Sequence, residues 1–240
     1  MIYAVEVSRP AVRKPKSHTR APRGLERAQI LEEAFRLIAK IGEADFSVRK
    51  LAAVIGVDPM TVLHHFGSKE ELLRAIADRA LQSIEVAEQR GCWQSDLRAV
   101  ADAYRSLARR YPRVFHLHFR FHATGPADHA SSELVYRALI DAGLEPTEAA
   151  GIGLAFYAFV LGFAQAEIEG LLRPIAGAEA AELAALNPEA FPATRALLPA
   201  FRALNSDDAF EAAIDCFIGG IANRCAEDAL RSDHVFSSKT

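Results

Sequence analysis

The sequence predicts an all-α chain with a small N-terminal head and a larger helical body, and three observations carry that prediction. Alanine and leucine dominate, and no alternating Val/Ile/Thr runs lie between glycine turns, which argues against sheets. Apolar residues recur at helical spacing and are punctuated by serine or aspartate before each run and glycine after it. Charge is unevenly placed: residues 1–80 hold 14 Lys/Arg against 10 Asp/Glu and residues 81–240 hold 14 against 21, giving +4 and −7. A basic head on an acidic body points to nucleic acid at one end only.

The 240 residues, half of them hydrophobic and a quarter charged, suit a soluble globular protein of one large or two unequal domains. The three cysteines (Cys92, Cys216, Cys225) are odd in number and lack zinc-type spacing. Cys216 and Cys225 sit in an apolar helical stretch and read as buried, reduced thiols. Basic residues near the start are not followed by an apolar core of a secretory signal, so a cytoplasmic location is expected. The uncharged run 149–166 is just long enough for a membrane span. Three glycines and Gln165 interrupt it and Glu148 and Glu167 flank it, so a buried helix and no membrane partner are expected.

Residues 1–24 carry six basic side chains, one acid and three prolines without apolar periodicity. They read as a mobile arm, either a solvated tail or a set of cations for DNA phosphates. From Leu25 the pattern turns helical: Ile30, Leu31, Ala34, Phe35, Ile38 and Ile41 form one stripe, closed by Gly42. Ser47 precedes "VRKLAAVIG", a short helix with Leu51, Val54 and Ile55 inward and Gly56 at its end. Asp58 is placed to cap a third helix with Pro59 in its first position, ending at Gly67. Ser68 and Glu71 then have capping-box spacing for a long fourth helix towards Gln89. The second and third helices, joined by "GVD", have the size of a helix-turn-helix. Ala52 is small where they cross, Val57 and Val62 form the wedge, and Phe66 plugs into the first helix. Met60, Thr61, Leu63, His64 and His65 are left as an exposed, nearly uncharged face suited to a major groove.

Here "FSVRKLAAVIGVDPMTVLHHFGSKEELLRAI" resembles the helix-turn-helix of the tetracycline-repressor (TetR) family. The glycine–valine turn, the Thr-x-x-His-His-Phe helix and the Lys-x-x-Leu start of the fourth helix carry the likeness, over about Leu25 to Ala80. The resemblance implies homodimers with an N-terminal DNA-binding head and a larger body that binds a ligand and dimerises. It implies contacts to a double-stranded DNA operator from Arg49, Pro59, Met60, Thr61, Leu63, His64, His65 and Lys69. Leu63 stands where the family usually has a tyrosine, which removes one phosphate hydrogen bond. His64 and His65 point about 100° apart on a helix, too divergent to chelate one metal, and a convex face is no pocket for a general base. They are expected to read a groove or a phosphate.

In the body, a helix is predicted from about Ser95 to Tyr111 with Leu97, Val100, Tyr104 and Leu107 or Ala108 inward, broken by Pro112. "RVFHLHFRFH" holds His116, His118 and His122; His118 and His122 have the helical i, i+4 spacing of a metal face but no third ligand nearby, and the alternative is packing or polar pocket duty; Phe115, Phe119 and His122 share another stripe that would suit a pocket. "DHASSELVYRALIDAG" gives a further helix ended by Gly143. From Pro146 to about Leu171 a helix is apolar all round. Its small stripe (Gly151, Ala155, Ala158, Gly162, Ala166) admits a close neighbour, and its large one (Ile152, Phe156, Phe159, Phe163) fills the core or lines a pocket. Residues 173–205, with four prolines, read as short helices in a long connection. Ser206 is placed to cap a last helix with Phe210, Ile214, Phe217 and Ile221 on one stripe and a second, small stripe at Ala209, Ala213, Cys216 and Gly220. Two such helices per chain are suited to a four-helix dimer bundle.

The division is thus an arm (1–24), a DNA-binding head (25–80) and a ligand-binding, dimerising body (81–232). The expected function is a repressor released from its operator by a small, largely apolar effector. The effector cavity is expected among Trp93, Tyr104, Phe115, Phe119, His122, Phe156 and Phe159. No cofactor, metal or catalytic residue is expected, since no Ser/His/Asp set, phosphate loop or carboxylate pair stands out. The alternatives are control by a protein partner or a metal, or a helical metal-binding or enzymatic protein.

Overall fold

A computed structural model describes residues 26–83, 91–121 and 124–237. The predicted arm, and His122, lie outside those residues. The described residues form helices and a single 3-10 turn, with no strand among them.

The head consists of α1 (Arg27–Ile41), α2 (Val48–Ile55), α3 (Pro59–Phe66) and α4 (Lys69–Leu81). Local chemistry sets each boundary. Ser47 Oγ accepts from Lys50 N–H at 3.1 Å, an Asp58 carboxylate oxygen from Met60 N–H at 2.8 Å, and Ser68 Oγ from Glu71 N–H at 3.0 Å. Gly56 ends α2 in the left-handed region at φ 73°, where a side chain would be strained. Ile30, Ala34, Phe35 and Ile38 of α1 bury against Leu51, Ala52, Val62 and Phe66. Val54 does not join them; it is 58% exposed. At 100° per residue, Val48, Leu51, Ala52 and Ile55 share one face and Val54 falls well off its centre.

The fourth helix is shorter than predicted. It stops at Leu81, with residues 82–83 in a turn. Ser83 donates both its backbone N–H and its hydroxyl to the Ala80 carbonyl, which competes with helical continuation. The predicted stretch up to Gln89 lies beyond the described residues.

The body comprises α5 (Trp93–Arg110), α6 (Pro112–Phe115), a 3-10 turn (His116–Phe119), α7 (Pro126–Asp141), α8 (Pro146–Ile168), α9 (Gly177–Ala185), α10 (Pro192–Arg202) and α11 (Ser206–Ser237). Helix α5 is its axis, packed by α7 and α8, with α11 against α5 and α8. "RVFHLHFRFH" is not one helix, and the 3-10 turn ends at Phe119. His118 thus lies in a 3-10 turn and not in an α-helix, while His122 lies outside the described residues. Asn205 rather than Ser206 caps α11, its Oδ1 accepting from Asp207 N–H at 2.8 Å.

A charge cluster ties α5, α8 and α11 together. Arg105 donates to Glu167 at 2.9 and 2.7 Å, to the Ser206 carbonyl at 2.9 Å and to Asp207 at 2.8 Å. Arg109 reaches the same two carboxylates at 2.6 Å. Burial alone would raise the Glu167 carboxyl; the hydrogen bonds from Arg105 and Arg109 overcome it and hold it at about 2.

Helix α8 is long and apolar enough to cross a membrane by length and composition, yet only 28% of its apolar window is buried. Its sequence predicts cover on every side, which the single chain does not provide. Gly151, Leu154, Ala155, Ala158 and Gly162 form an exposed stripe, and Cys216 and Gly220 of α11 are exposed as well. Cys216 is thus a surface thiol in the single chain, contrary to expectation, because it lies off the Phe210–Ile214–Ile218–Ile221 face that enters the core.

Candidate functional site

Two sites stand at opposite ends of α4. At its N-terminus lies the outer face of α3. Val62 and Phe66 anchor that helix, at 0% and 6% exposure, leaving Met60 67% exposed and His64 exposed, with Pro59, Thr61, Leu63 and His65 half-buried beside them. The His64 and His65 rings meet edge to face at 5.9 Å. Arg49 near the start of α2 and Lys69 at the first position of α4 are exposed. Both sit beside N-terminal turns whose free N–H groups favour phosphate. Met60, Thr61, Leu63 and His64 line one shallow surface hollow with Gly67, whereas Lys69 lines another with Gly42, Glu43, Pro112, Arg113 and His116 where head meets body.

Towards the other end is a cavity of about 620 Å³ between α5, the 3-10 turn, α7 and α8. Tyr104 comes from α5. His118 and Phe119 come from the 3-10 turn, with Arg120 and Phe121 after it. Thr124, Asp128, His129, Ser132 and Tyr136 come from α7 and its approach, and Leu154, Tyr157 and Leu161 from α8. Gly153 allows this wall to form: a Cβ there would lie 2.5 Å from Tyr136 Cε1, so any side chain would push the tyrosine aside.

Of the residues expected to line a cavity, Tyr104 and Phe119 do so. Phe115 is fully buried beside it, its ring against those of His118 and Phe119. Phe156 and Phe159 pack on Phe217 of α11, the second pair stacked at 5.4 Å, so they fill the α8–α11 seam and not this wall. Trp93 is half-buried at the start of α5 and is not among the lining residues. Sequence reasoning missed Thr124, Asp128, Tyr136 and Tyr157, and weighed His118 as a metal ligand against a packing or polar pocket residue, the second of which its place in this lining matches. Tyrosines within apolar helical stretches were the available signal, because a buried hydroxyl needs a partner.

The polar wall is built around Asp128. One carboxylate oxygen accepts from Tyr104 OH at 3.3 Å and the other from Thr124 N–H at 3.0 Å. Tyr157 OH lies 3.3 Å from Ser131 Oγ. Burial, reinforced by Tyr157 and Asp128, pushes the Tyr104 phenol well above its ordinary range, and burial pushes Tyr157 up to about 12. Burial, with His116 nearby, lowers His118 to about 4. At neutral pH both phenols are protonated and His118 carries no charge.

Among the contacts between head and body, two are built around carboxylates. Asp78, buried on the core face of α4, accepts from Ala127 N–H at 2.9 Å and Asp128 N–H at 3.3 Å, so it caps the helix that forms the cavity wall. Gly125 is required there, since a Cβ would fall 2.6 Å from Asp78 Cγ. At the second joint, Glu43 after α1 pairs with His116 at 2.8 Å and with Arg120.

A helix-turn-helix head on a helical body with a cavity against the joint defines a DNA-binding regulator of the ligand-responsive kind. Residues 30–76 match the family described as bacterial regulatory proteins, tetR family, and residues 86–225 match the tetracyclin repressor-like C-terminal domain. The second match alone spans more than half of the chain, and the protein belongs to the TetR family of transcriptional regulators. Among solved structures, apo ActR from Streptomyces coelicolor superposes with a TM-score of 0.75 at 23% identity, covering 85% of this chain and 98% of that one. ActR has also been solved in complex with actinorhodin. A further Streptomyces coelicolor A3(2) chain is 30% identical with a TM-score of 0.68, covering 84% and 99%. An HTH-type transcriptional regulator of Saccharopolyspora erythraea is 26% identical over 155 residues, 64% of this chain and 66% of that relative.

Proposed function

We propose that this protein is a cytoplasmic, homodimeric repressor, with no membrane partner, that holds a double-stranded DNA operator and lets go when a small molecule enters the body cavity. The head (25–80) holds the DNA and the body (81–232) binds the effector and the second subunit. One observation carries the reading: α4 starts beside the groove-reading face at Lys69 and, about 14 Å further along, caps the cavity wall through Asp78. A molecule that shifts α7 must either break that cap or move α4, and moving α4 moves the head. That ActR, a protein of the same fold, is found with actinorhodin supports a small-molecule effector.

The DNA reading is tested by gel shift on the DNA upstream of the protein's own coding sequence. Lys69→Ala should weaken binding to all sequences and reduce the salt slope by about one, because one phosphate contact is lost. Thr61→Ala and His64→Ala should instead change the ranking of operator variants, by roughly 1–3 kcal/mol at the bases they touch. Unchanged operator affinity in all three variants at physiological salt would remove α3 from the groove.

The switch is tested separately. Asp78→Ala should leave operator affinity within a few-fold of wild type while weakening release by any compound that frees the wild-type protein from DNA. Typical coupling is about 5–150-fold, and most of that factor should disappear. If release persists in full, the route from cavity to head does not pass through Asp78.

A further inference from the structure

Arg120 and Phe121, which follow the 3-10 turn, belong both to the cavity lining and to the contact between head and body. Both line the cavity. The Arg120 guanidinium also pairs with Glu43 of the head. Phe121, 8% exposed, lies under Arg74 of α4, whose guanidinium carbon is 5.1 Å from its ring centroid. A single side chain thus joins the cavity to the head. The Arg120 side chain is 45% exposed and that of Glu43 19%, and an ion pair so open to water is weakly held. Glu43 does not depend on it. Its other oxygen lies 2.8 Å from His116 Nε2, so it can release the arginine and stay paired.

We propose that the effector carries a carboxylate, that Arg120 receives it in the cavity, and that the acid thereby takes Arg120 from Glu43. This rests on the ligand-released reading above and adds one charged group to a largely apolar frame. Arg120 is the one fixed cation among the described lining residues, and Asp128 is the one carboxylate. Asp128 accepts from Tyr104 OH on one oxygen and Thr124 N–H on the other, so a cationic ligand would have to displace a protein donor. The same carboxylate repels an acid, which leaves the Arg120 end of the cavity for it. There the guanidinium meets Glu43 through Nη1, and its planar fork suits both oxygens of one carboxylate. His118, held neutral by burial, neither draws the acid nor opposes it. Tyr157 is paired with Ser131, whereas His129, Ser132 and Tyr136 of α7 offer an imidazole and two hydroxyls to further oxygens of the ligand. Phe119, Leu154 and Leu161 supply the surface for the apolar frame. The exchange replaces a water-exposed carboxylate by one inside a cavity, where less water screens it. Glu43 then keeps only His116, the head loses one hold on the body, and α4 is freer to follow α7 through Asp78.

Calorimetric titration of the full chain with 2-naphthoate, 2-naphthalenemethanol and 2-naphthylmethylamine tests the recognition without DNA, since the three share a frame and differ in charge. The acid should bind about tenfold more tightly than the alcohol or the amine. Arg120→Gln, similar in reach but uncharged, should level the acid with the alcohol, and Arg120→Lys should keep part of the difference. Glu43→Gln removes the competing charge from a residue that does not line this cavity. It should tighten the acid about threefold while leaving the alcohol unchanged, a gain that a merely structural role for Arg120 would not produce. Equal affinity for acid and alcohol, tighter binding of the amine, or no binding of any of the three overturns the proposal. So does an acid preference that survives Arg120→Gln, or an acid affinity that Glu43→Gln leaves unchanged. Operator gel shifts with 2-naphthoate distinguish the two levels. Acid preference with the Glu43→Gln gain but no release from DNA keeps Arg120 as the acid's receptor and removes the ligand-released reading. Release by a neutral compound, when the acid does not bind, does the reverse.

Discussion

Glu167→Ala should destabilise the protein by about 3–5 kcal/mol, because it strands Arg105 in the interior without its main partner. Both side chains of the pair are 8% exposed. The guanidinium also lies 4.4 Å from the Phe210 ring centroid, so water cannot readily replace the lost carboxylate. For a chain of this size the melting temperature should fall by roughly 10 °C. The exposed pair Arg137–Glu133 is the control: Glu133→Ala should leave the melting temperature essentially unchanged. The acid limb provides a second signature. Glu167 is depressed from 4.5 to about 2, so its contribution, about 3 kcal/mol, is fully present above pH 4.5 and is lost as pH falls through about 2. Wild type should therefore lose stability faster than Glu167→Ala over that window. Equal melting temperatures for the two proteins would show that the cluster is not the clamp between α5, α8 and α11.

The head was legible because its boundaries are set by residues that act on their own neighbours. Ser47, Asp58 and Ser68 bond N–H groups two or three residues on, and Gly42, Gly56 and Gly67 all take positive φ. Such signals survive without knowledge of the rest of the fold. The end of α4 was missed because no glycine or proline marks it; the stop comes from Ser83 bonding back to Ala80. The cavity was only half legible for a different reason. Periodicity tells which residues of α8 share a stripe but not what that stripe meets. Phe156 and Phe159 turned to α11, while Tyr157, one position along, reached the cavity. Asp78 was readable in principle. A carboxylate at a position flanked by the buried Ala77, Ala80 and Leu81 has to find donors, and the N-terminal turn of α7 supplies them. The metal reading of His118, weighed against a packing or pocket role, assumed an α-helix across it. The 3-10 turn instead places it in the cavity wall.

Assembly is where a single substitution should have the largest effect on function. A Cβ at Gly162 or Gly220 has no neighbour within 4 Å in the single chain, and both positions are exposed, so a tryptophan there is free to turn to solvent. The subunit fold should accept it. Those glycines lie on the exposed stripes of α8 and α11, where small residues allow a second copy to approach closely. In a two-fold bundle each tryptophan would be driven into the partner helix, an overpacking cost of at least ~1–3 kcal/mol per site, applied twice. Sedimentation at micromolar concentration should then show monomers for Gly162→Trp or Gly220→Trp and dimers for wild type, with unchanged far-ultraviolet circular dichroism. Operator affinity should fall by about 10²–10⁴, because two linked heads bind successive major grooves about 34–36 Å apart and a lone head loses that multivalent gain. The two measurements must move together. Monomeric wild type at micromolar concentration would end the proposal, and so would a tryptophan variant that stays dimeric and binds its operator normally, because either result places the subunit contact away from these stripes.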